Sequence, residues 1–575
     1  MKKNFVKSRW FFTMLLFVTT MIMPSMMLAQ ESITPTRPKK GNGRAEPYQI
    51  SNREELYWFA RLVNGTLENV VRDKSANAIL TANIIVNTGV LDAVNKGKVS
   101  ESDFIEWEPI CKHDSYDAVY KGTFDGQGYT ISGLYFNDTK ASYVGLFGYI
   151  GVDSEGHKGK ISNVGVSDSY FQFDKQGGGV CGLIDYGGVL QNCSNSSTVI
   201  GKNNDSRAGG VCGDNNGTVR DCKNTGSVSG QNDVGGVCGF SAGTVKSCYN
   251  TGSVHGTGTH VGGVCGSNYS GTTYSGTITN CYYLENTATG GMEGKDVPGK
   301  AEKMSIEPFK SGEMAWLLNG KGLGEQVWGQ QLGIDPSPVP GSAYKVIKAA
   351  QGDKDANGND TYWATFSNLK NDATLSVPSE SGRTLNVYNA TVSGGKLTLT
   401  QRSDDQVAKG EGVLLKTDGE YVNAKANETN DLTKASSDEN HLVATPAKAK
   451  TVIADAGYKL YRLTYNNAAK EGLGFYLSVY KANNSYNGTR LKATPGKAYL
   501  KVSENEVKDP SSAALTRSFV FGGGSETTGI EGITIMGTDV QRHGTIEGIF
   551  DLQGRKISNP TKGIYIKNNK KVIIK

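Results

Sequence analysis

Two consecutive stretches of the chain are nearly identical: GGVCGDNNGTVRDCKNTGSVSG at 209–230 and GGVCGFSAGTVKSCYNTGSVHG at 235–256. The same motif returns as GGVCGSNYSG from 262 and as GGVCGLIDYGGVLQNC from 178, and a degenerate copy reads VGLFG at 144–148. Cys238 follows Cys212 by 26 residues, and Cys265 follows Cys238 by 27. A fixed period of this length is the sequence signature of a repeat architecture.

Each unit contains short β-branched stretches separated by Gly, Asn, Ser and Thr, a pattern that favours strands and turns over helices. Stacking the units would bury two columns of apolar side chains. The columns are Val211, Val237 and Val264, and Val219, Val245 and Ile278. The sequence therefore predicts an all-β fold whose centre, residues 120–290, is a right-handed parallel β-helix. A β-propeller is the alternative, but its blades need about 40 residues with four strands.

The recurring tetrapeptides resemble a known repeat of bacterial surface proteins. Gly-Leu-Phe-Gly at 145–148 and Gly-Val-Cys-Gly at 179–182, 210–213, 236–239 and 263–266 are similar to the GLUG repeat, and KGTFDGQGYTISGLYF at 121–136 resembles the segment that leads into it. The resemblance implies a cell-surface, adhesin-like role and names no ligand.

Eight of the nine cysteines belong to the repeat, two in each unit. The pairs are Cys181 and Cys193, Cys212 and Cys222, Cys238 and Cys248, and Cys265 and Cys281. In the degenerate copy Phe147 and Val164 replace both members, which indicates a shared buried environment. One interpretation is a disulfide within each coil, as an exported protein permits; the other is a stack of free thiols that fill the core as small apolar groups. Val and Cys are adjacent, so a corner is expected between them.

The N-terminus has the pattern of a secretory signal peptide over residues 1–29. A basic start precedes an apolar run from Trp10 to Leu28, and a small residue comes before a polar one, which predicts cleavage between Ala29 and Gln30. Residues 1–29 carry four basic and no acidic residues, so the net charge falls from +5 to about +1 on cleavage. The mature chain then offers no general attraction for nucleic acid and no apolar segment long enough to span a membrane.

The segments beside the repeat have helical patterns. Residues 30–119 are expected to form an N-terminal cap and the start of the solenoid, because Ser51-Asn-Arg-Glu54 matches a capping box and is followed by apolar residues at helical spacing. Residues 291–342 are expected to form a C-terminal cap and linker, with a second helix at 307–320. Such caps would cover the unpaired strand edges at the ends of a solenoid.

The C-terminal half changes character. Alternating stretches such as TLNVYNATV and GFYLSVY predict an antiparallel, β-sandwich-like domain over 343–521, and a Gly-Ser run begins a linker at 522–547. The sequence GIFDLQGRKISNPTKGIYIKNNKKVIIK at 548–575 resembles the C-terminal sorting domain of type IX secretion substrates. That resemblance implies three short strands, the type IX machinery as a partner and attachment to the outer membrane.

The sequence contains no recognisable catalytic, metal or cofactor motif. The histidines do not form His-Glu-x-x-His, the zinc spacing of the immunoglobulin A peptidases in which repeats of this type also occur. His255 and His260 are expected to be surface variation. Solvated turns are expected for the repeat aspartates Asp185, Asp205, Asp214, Asp221 and Asp233. Residues 353–358 open like an EF-hand but lack its final Glu, so a hairpin is expected there.

The sequence thus predicts a secreted, adhesin-like binding protein whose ligand is an extracellular glycan or protein. A β-helical carbohydrate-active enzyme and a structural surface spacer are the alternatives, because β-helices also carry polysaccharide lyases and hydrolases.

Overall fold

The computed structural model divides the chain into two units, Met1–Lys303 and Met304–Lys575. It describes residues 33–97, 103–112, 119–152, 155–269, 271, 275–321, 326–355, 357–378, 382–466, 472–478, 488–507, 518–520, 534–536, 549–550, 563–567 and 570–574. The predicted signal peptide and its cleavage site lie outside these residues.

The first unit is a parallel β-solenoid of about eight coils, as the repeat predicts. Its strands form four sheets, A to D, in which each coil pairs with the next. Sheet A comprises Tyr48–Ile50, Ala78–Leu80, Thr123–Asp125, Lys160–Ser162, Val189–Gln191, Thr218–Arg220, Thr244–Lys246 and Thr277–Thr279. Sheet B comprises Ile84–Ile85, Thr130–Ser132, Tyr135–Asn137, Gly165–Phe173, Ser194–Gly201, Lys223–Asn224, Val228–Gly230, Tyr249–Asn250, Val254–Gly256, Cys281–Leu284 and Ala301–Met304. Sheet C comprises Phe147–Ile150, Cys181–Ile184, Cys212–Asn215, Cys238–Ser241 and Cys265–Asn268. Sheet D comprises Gln176–Gly178, Arg207–Gly209, Val234–Gly235 and Val261–Gly262.

The predicted apolar columns are confirmed. Val219 pairs with Val245, and Val245 pairs with Ile278. The Val237 N–H donates to the Val264 carbonyl at 2.8 Å, and the side chain is fully buried. The corner expected between Val and Cys lies one residue earlier, at Gly236-Val237, between the sheet D strand and the sheet C strand, and the Val237 and Cys238 side chains are both buried. Position 235 requires glycine, because a Cβ there would lie 1.8 Å from the Cys238 carbonyl oxygen.

The N-terminal helix is present at Arg53–Asn64, with one change from the prediction. Its N-cap is Asn52 and not Ser51: the Asn52 side chain accepts from the Glu55 N–H at 2.9 Å, and the Glu55 carboxylate accepts from the Ser51 N–H at 2.8 Å. The capping box is therefore shifted by one residue. Phe59 is fully buried, and its ring lies 5.9 Å from that of Phe124 in sheet A. A second short helix spans Val90–Asn95.

The second predicted cap segment forms two helices, Ile306–Ser311 and Glu313–Leu318, and both belong to the second unit. The Gln330 side chain donates to the Phe309 carbonyl at 2.6 Å, and the Lys348 ammonium lies 4.3 Å from the centre of the Trp316 ring. These contacts hold the two helices against other residues of the second unit, and a cap on the solenoid stays a prediction.

The second unit is antiparallel, as predicted. Its main sheets form three layers, whereas a β-sandwich has two. Sheet E comprises Tyr344–Lys348, Ala373–Ser376, Gln406–Val407 and Tyr421–Ala426. Sheet F comprises Ala350–Gln351, Tyr362–Ser367, Leu385–Ser393, Lys396–Gln401, Gly412–Thr417 and Thr534–Met536. Sheet G comprises Leu442–Ala444, Tyr458–Asn466, Gly472–Leu477, Ala498–Ser503 and Ser518–Val520. Two further pairs are Trp328–Gly329 with Val339–Pro340 and Lys450–Ile453 with Arg490–Ala493, and a one-turn helix spans Glu504–Val507.

Sheet F is the central layer because its two faces enter different cores. Phe366 packs in one cluster with Leu375 of sheet E. Trp363 packs in another with Phe475 of sheet G. Alternation along a strand sends successive side chains to opposite faces, so a sheet that is apolar on both faces is covered on both. Sheet F also extends into the predicted linker, where Thr534–Met536 pairs in parallel with Lys396–Gln401.

The C-terminal segment contains the three predicted strands, Ile549–Phe550, Gly563–Lys567 and Lys570–Ile574, paired antiparallel in that order. Residues 551–562 and 568–569, between these strands, lie outside the described residues. No helix in the described part of the chain is long and apolar enough to cross a membrane.

Candidate functional site

Sheet C presents one face to solvent, and two columns of side chains lie on it. The strand column contains the third position of each strand: Tyr149, Leu183, Asp214, Phe240 and Ser267. The corner column lies at the turn into sheet D and contains, in each coil, the residue before a buried position. Its members are Tyr143, Gln176, Arg207, Asp233 and His260. Aromatic, charged and amide groups therefore stand side by side on a rigid backbone. We call this surface the C face.

Arg207 joins the two columns. Its guanidinium forms an ion pair with Asp214, lies 3.8 Å from the Asp233 carboxylate and sits 4.1 Å from the centre of the Phe240 ring. A guanidinium between a carboxylate and an aromatic face gains both Coulomb and cation–π energy. This chain thus places its own cation on the C face.

A polar pocket opens at the same corner. It has a volume of about 460 Å³ and is lined by Asn204, Asp205, Arg207, Asn232, Asp233, Thr259 and His260. The His260 Nδ1 lies 3.1 Å from the Asp233 carboxylate. Three successive coils each contribute two adjacent polar residues, and the volume is within the usual range for small-ligand sites.

Burial raises the pKa of two carboxyl groups on the C face. Asp214 is only 3% exposed, and burial raises its pKa although Arg207 favours the ionised form. Burial also raises the pKa of Asp233, against the opposing charges of Arg207 and His260. Among the described residues, no donor reaches Asp214 Oδ1 or Gln176 Oε1. The C face therefore holds carboxyl and amide acceptors that are incompletely satisfied.

Two aromatic groups flank this charged centre. The Tyr143 and Tyr149 rings are stacked with centres 5.9 Å apart, and the Tyr149 hydroxyl donates to Asp185 at 2.8 Å. On the other side, the Phe240 ring lies 6.3 Å from that of Tyr269, which is 49% exposed. Exposed aromatic rings beside polar acceptors are common in surfaces that bind sugars or protein side chains.

The sequence-based expectations for these residues are partly wrong. Asp221 and Asp233 do lie in turns, with φ of 56° and 50°, but Asp221 is buried and not solvated. Asp214, however, lies in a sheet C strand and is buried under Arg207. His255 and His260 are both exposed, as expected, and His260 lines the pocket beside Asp233. The corner column repeats a position and not a residue type, so a search for recurring residues does not find it. The polar residues two positions before each Gly-Gly, namely Arg207, Asp233 and His260, were the available signal.

The EF-hand-like stretch is a hairpin, as expected. Ala350–Gln351 pairs antiparallel with Tyr362-Trp363, and Asp355 accepts from the N–H groups of Asn357 and Asn359 at 2.9 and 2.8 Å. No group of three or more potential metal ligands occurs within the described residues.

The cysteines form two ladders inside the solenoid and no disulfides. None of the nine is in a disulfide, and all are buried. One ladder contains Cys181, Cys212, Cys238 and Cys265 in register, and the other contains Cys193, Cys222, Cys248 and Cys281. The Cys193 N–H donates to the Cys222 sulfur at 3.4 Å, and the Cys222 S–H donates to the Arg220 carbonyl at 3.2 Å. Thiols of both ladders donate to backbone carbonyls, and the Cys193 ladder also bonds from coil to coil, so the structure has core thiols in place of a bridge within each coil.

We expect these thiols to be unreactive in the native protein. Burial raises the pKa of Cys212, Cys222 and Cys248, and the thiolate is the reactive form. Alkylation of the folded protein should label no cysteine, whereas alkylation in denaturant without reductant should label all nine. Mass analysis that finds pairs resistant to labelling in denaturant would restore the disulfide interpretation.

Comparisons with known proteins give limited similarity. No known family model matches the chain. Halomucin from Haloquadratum walsbyi is 27% identical over 195 residues, which are 34% of this chain and 2% of that protein. A crystal structure of a candidate immunoglobulin A1 protease from Bacteroides ovatus has a TM-score of 0.37 at 19% identity, covering 53% of this chain and 95% of that one.

Proposed function

We propose that this protein is a surface-displayed, adhesin-like binding protein that captures an extracellular glycan or protein ligand on the C face. The observation that carries the proposal is the pair of side-chain columns on sheet C. They place aromatic rings, carboxylates, an amide, an arginine and a histidine on one outward surface, beside a 460 Å³ polar pocket. Backbone pairing between coils fixes these groups in position, which lowers the entropy cost of binding.

The proposed location rests on the two ends of the chain and on one comparison. The signal-peptide pattern of residues 1–29 supports export, and the likeness of 548–575 to a sorting domain supports delivery by the type IX machinery and attachment to the outer membrane. The local similarity to Halomucin agrees with an extracellular placement. The three-stranded sheet at the C-terminus is compatible with a separate address module.

A screen of immobilised glycans and extracellular proteins with the full chain tests the binding proposal. Phe240→Ala should weaken capture of any ligand by about tenfold, because the half-buried ring and its contact with Arg207 are lost. Lys246→Ala is the matched control, since Lys246 is exposed on sheet A of the same coil. Equal loss of binding in both variants, or capture of a ligand whose affinity is unchanged in Phe240→Ala, would show that the C face is not the binding site. If the protein captures no ligand, the alternative role as a structural surface spacer is favoured.

A carbohydrate-active enzyme is the second candidate. The observation in its favour is that Asp214 and Asp233 both have raised pKa values on one face, as general acids do. Release of reducing ends from bound glycans, abolished by Asp233→Asn, would establish this alternative. Binding without product release supports the adhesin-like role.

A further inference from the structure

We infer that the polar pocket beside Arg207 takes one uncharged hexose unit of a glycan. The inference rests on the proposed function and deepens it, because it names the class of ligand that the C face captures. The volume of the pocket, about 460 Å³, lies in the range of sites that hold small ligands.

The pocket exists because three neighbouring coils turn from sheet B into sheet D through loops of different length. Between positions that pair from coil to coil, the first coil has residues 201–207, the second 230–233 and the third 256–260. The shortest loop is in the middle, so it forms a floor between two longer walls. Since neighbouring strands lie about 4.8 Å apart, the two walls are roughly 10 Å apart. That gap is comparable with the width of a pyranose ring and its hydroxyl groups.

Hydrogen bonds hold both walls against the floor. The Asn232 side chain on the floor donates to the Asn204 carbonyl of one wall at 3.2 Å. The Gly258 N–H of the other wall donates to the Gln231 carbonyl of the floor at 2.9 Å. The shape of the pocket is therefore formed before a ligand binds, and little conformational entropy is lost on binding.

The side chains of the walls are available for hydrogen bonds with a ligand. Asn204 and Asp205 on one wall and Thr259 on the other are exposed, and within the described part of the chain their side chains form no hydrogen bond or ion pair. A hydroxyl group donates one hydrogen bond and accepts up to two. Each sugar hydroxyl can therefore donate to a carboxylate and accept from an amide at the same time.

The charges that line the pocket favour a neutral ligand. Arg207 forms an ion pair with Asp214 and lies 3.8 Å from the Asp233 carboxylate, so its charge is balanced within the protein. An anionic sugar would meet Asp205 and Asp233 with the guanidinium already paired, and an ammonium group would meet the guanidinium. Sugar hydroxyl groups can donate to the carboxylates and accept from the guanidinium, so an uncharged sugar gains hydrogen bonds with both.

An aromatic ring on the same face is available for the adjoining sugar. The Phe240 ring lies 4.1 Å from the Arg207 guanidinium and 6.3 Å from the Tyr269 ring, which is 49% exposed. The C–H face of a pyranose ring is apolar and can pack on an aromatic ring while the hydroxyl groups stay in water. A glycan would thus extend from the pocket across sheet C towards Tyr269.

Binding of the full chain to immobilised tetrasaccharides tests the inference. The neutral probes are mannotetraose, cellotetraose and galactotetraose, and the charged probes are tetragalacturonate and the glucosamine tetramer. We expect capture of at least one neutral probe and of neither charged probe.

Two matched pairs of substitutions locate the binding site. Asn204→Ala and Thr259→Ala should each weaken capture of the neutral probe by roughly tenfold, the order of effect expected when one hydrogen bond to the ligand is lost. Asn203→Ala and Thr257→Ala change exposed residues of the same type in the same two loops, outside the pocket lining, and should leave affinity unchanged. All four positions are exposed, so unchanged thermal unfolding should separate loss of binding from loss of the fold.

The outcomes separate the inference from the proposed function. Failure to capture any neutral probe would overturn the inference, as would equal affinity within each pair of variants. Capture of a charged probe that depends on Asn204 would assign the pocket to a charged sugar and also overturn it. In each of these cases, a protein or another glycan whose capture is weakened by Phe240→Ala leaves the proposed function standing.

Discussion

Replacing Val237 with aspartate is expected to lower the free energy of unfolding of the solenoid by at least about 3 kcal/mol, because a carboxylate would be buried without a partner. The Val237 side chain is fully buried and has no surface in contact with water. Its backbone bonds to Val211 on one side and Val264 on the other, at 3.0 and 2.8 Å. Coils contact only their neighbours, so the loss should extend to the coils on both sides.

Hydrogen exchange and denaturant unfolding measure this effect. The amides of residues 207–220 and 261–268 should lose protection together with those of the substituted coil. Lys246→Asp introduces the same side chain at an exposed position of the same coil and should change stability by less than about 0.5 kcal/mol. Equal stability of the two variants would mean that Val237 does not lie in the core.

The solenoid could be predicted from the sequence because its core repeats residue types. Val211, Val237 and Val264 must be alike, since each packs on the next at one distance in one environment. The 26- and 27-residue spacings carry the same information. Repetition of identical residues therefore identifies the positions that face inward.

The C face could not be predicted in this way, because its positions repeat while its residues differ. Tyr143, Arg207, Asp233 and His260 occupy one column with different chemistry. Solvent-facing positions are free to vary, so only the register between coils brings them together. Asp214 was misjudged for a related reason: it stands in Gly-Asp-Asn-Asn-Gly, a composition typical of turns, but the pairing of sheet C holds it in a strand.

The layered arrangement of sheets in the second unit could not be predicted from the sequence either. Alternation identifies strands such as Tyr362–Ser367, yet it does not state which partners cover each face. Trp363 and Phe366 are both apolar and point to opposite sides, into different clusters. Only long-range pairing decides that a third sheet covers the second face.

The solenoid also contains a buried ladder of hydrogen-bonded asparagine side chains, which the amino-acid composition does not reveal. Asn195, Asn224 and Asn250 are almost completely buried, and each amide donates to the next at 2.8 Å. In the sequence Asn224 and Asn250 resemble ordinary turn asparagines in Asn-Thr-Gly-Ser-Val, and Asn195 stands in Asn-Ser-Ser-Thr-Val. In the structure their side-chain amides form hydrogen bonds both with the turn backbone and with each other. A fully hydrogen-bonded ladder of this kind fixes the register of the coils.

Asn224→Leu is therefore expected to destabilise the solenoid by about 3 kcal/mol or more, although it makes the core more apolar. The substitution keeps the side-chain volume but removes bonds to the N–H and carbonyl of Gly226, at 3.2 and 2.9 Å, and to both neighbouring amides. Each buried group left without a partner costs about 1–3 kcal/mol.

Denaturant unfolding of Asn224→Leu beside Asn203→Leu checks this expectation, since Asn203 is exposed at a corner of the previous coil. Asn203→Leu should stay close to the parent protein. A second substitution, Asn250→Leu, should cost less in the Asn224→Leu background than alone, because the bond between the two amides is already lost. Full additivity of the two substitutions would show that the asparagines act separately, each on its own turn, and that the ladder does not couple the coils.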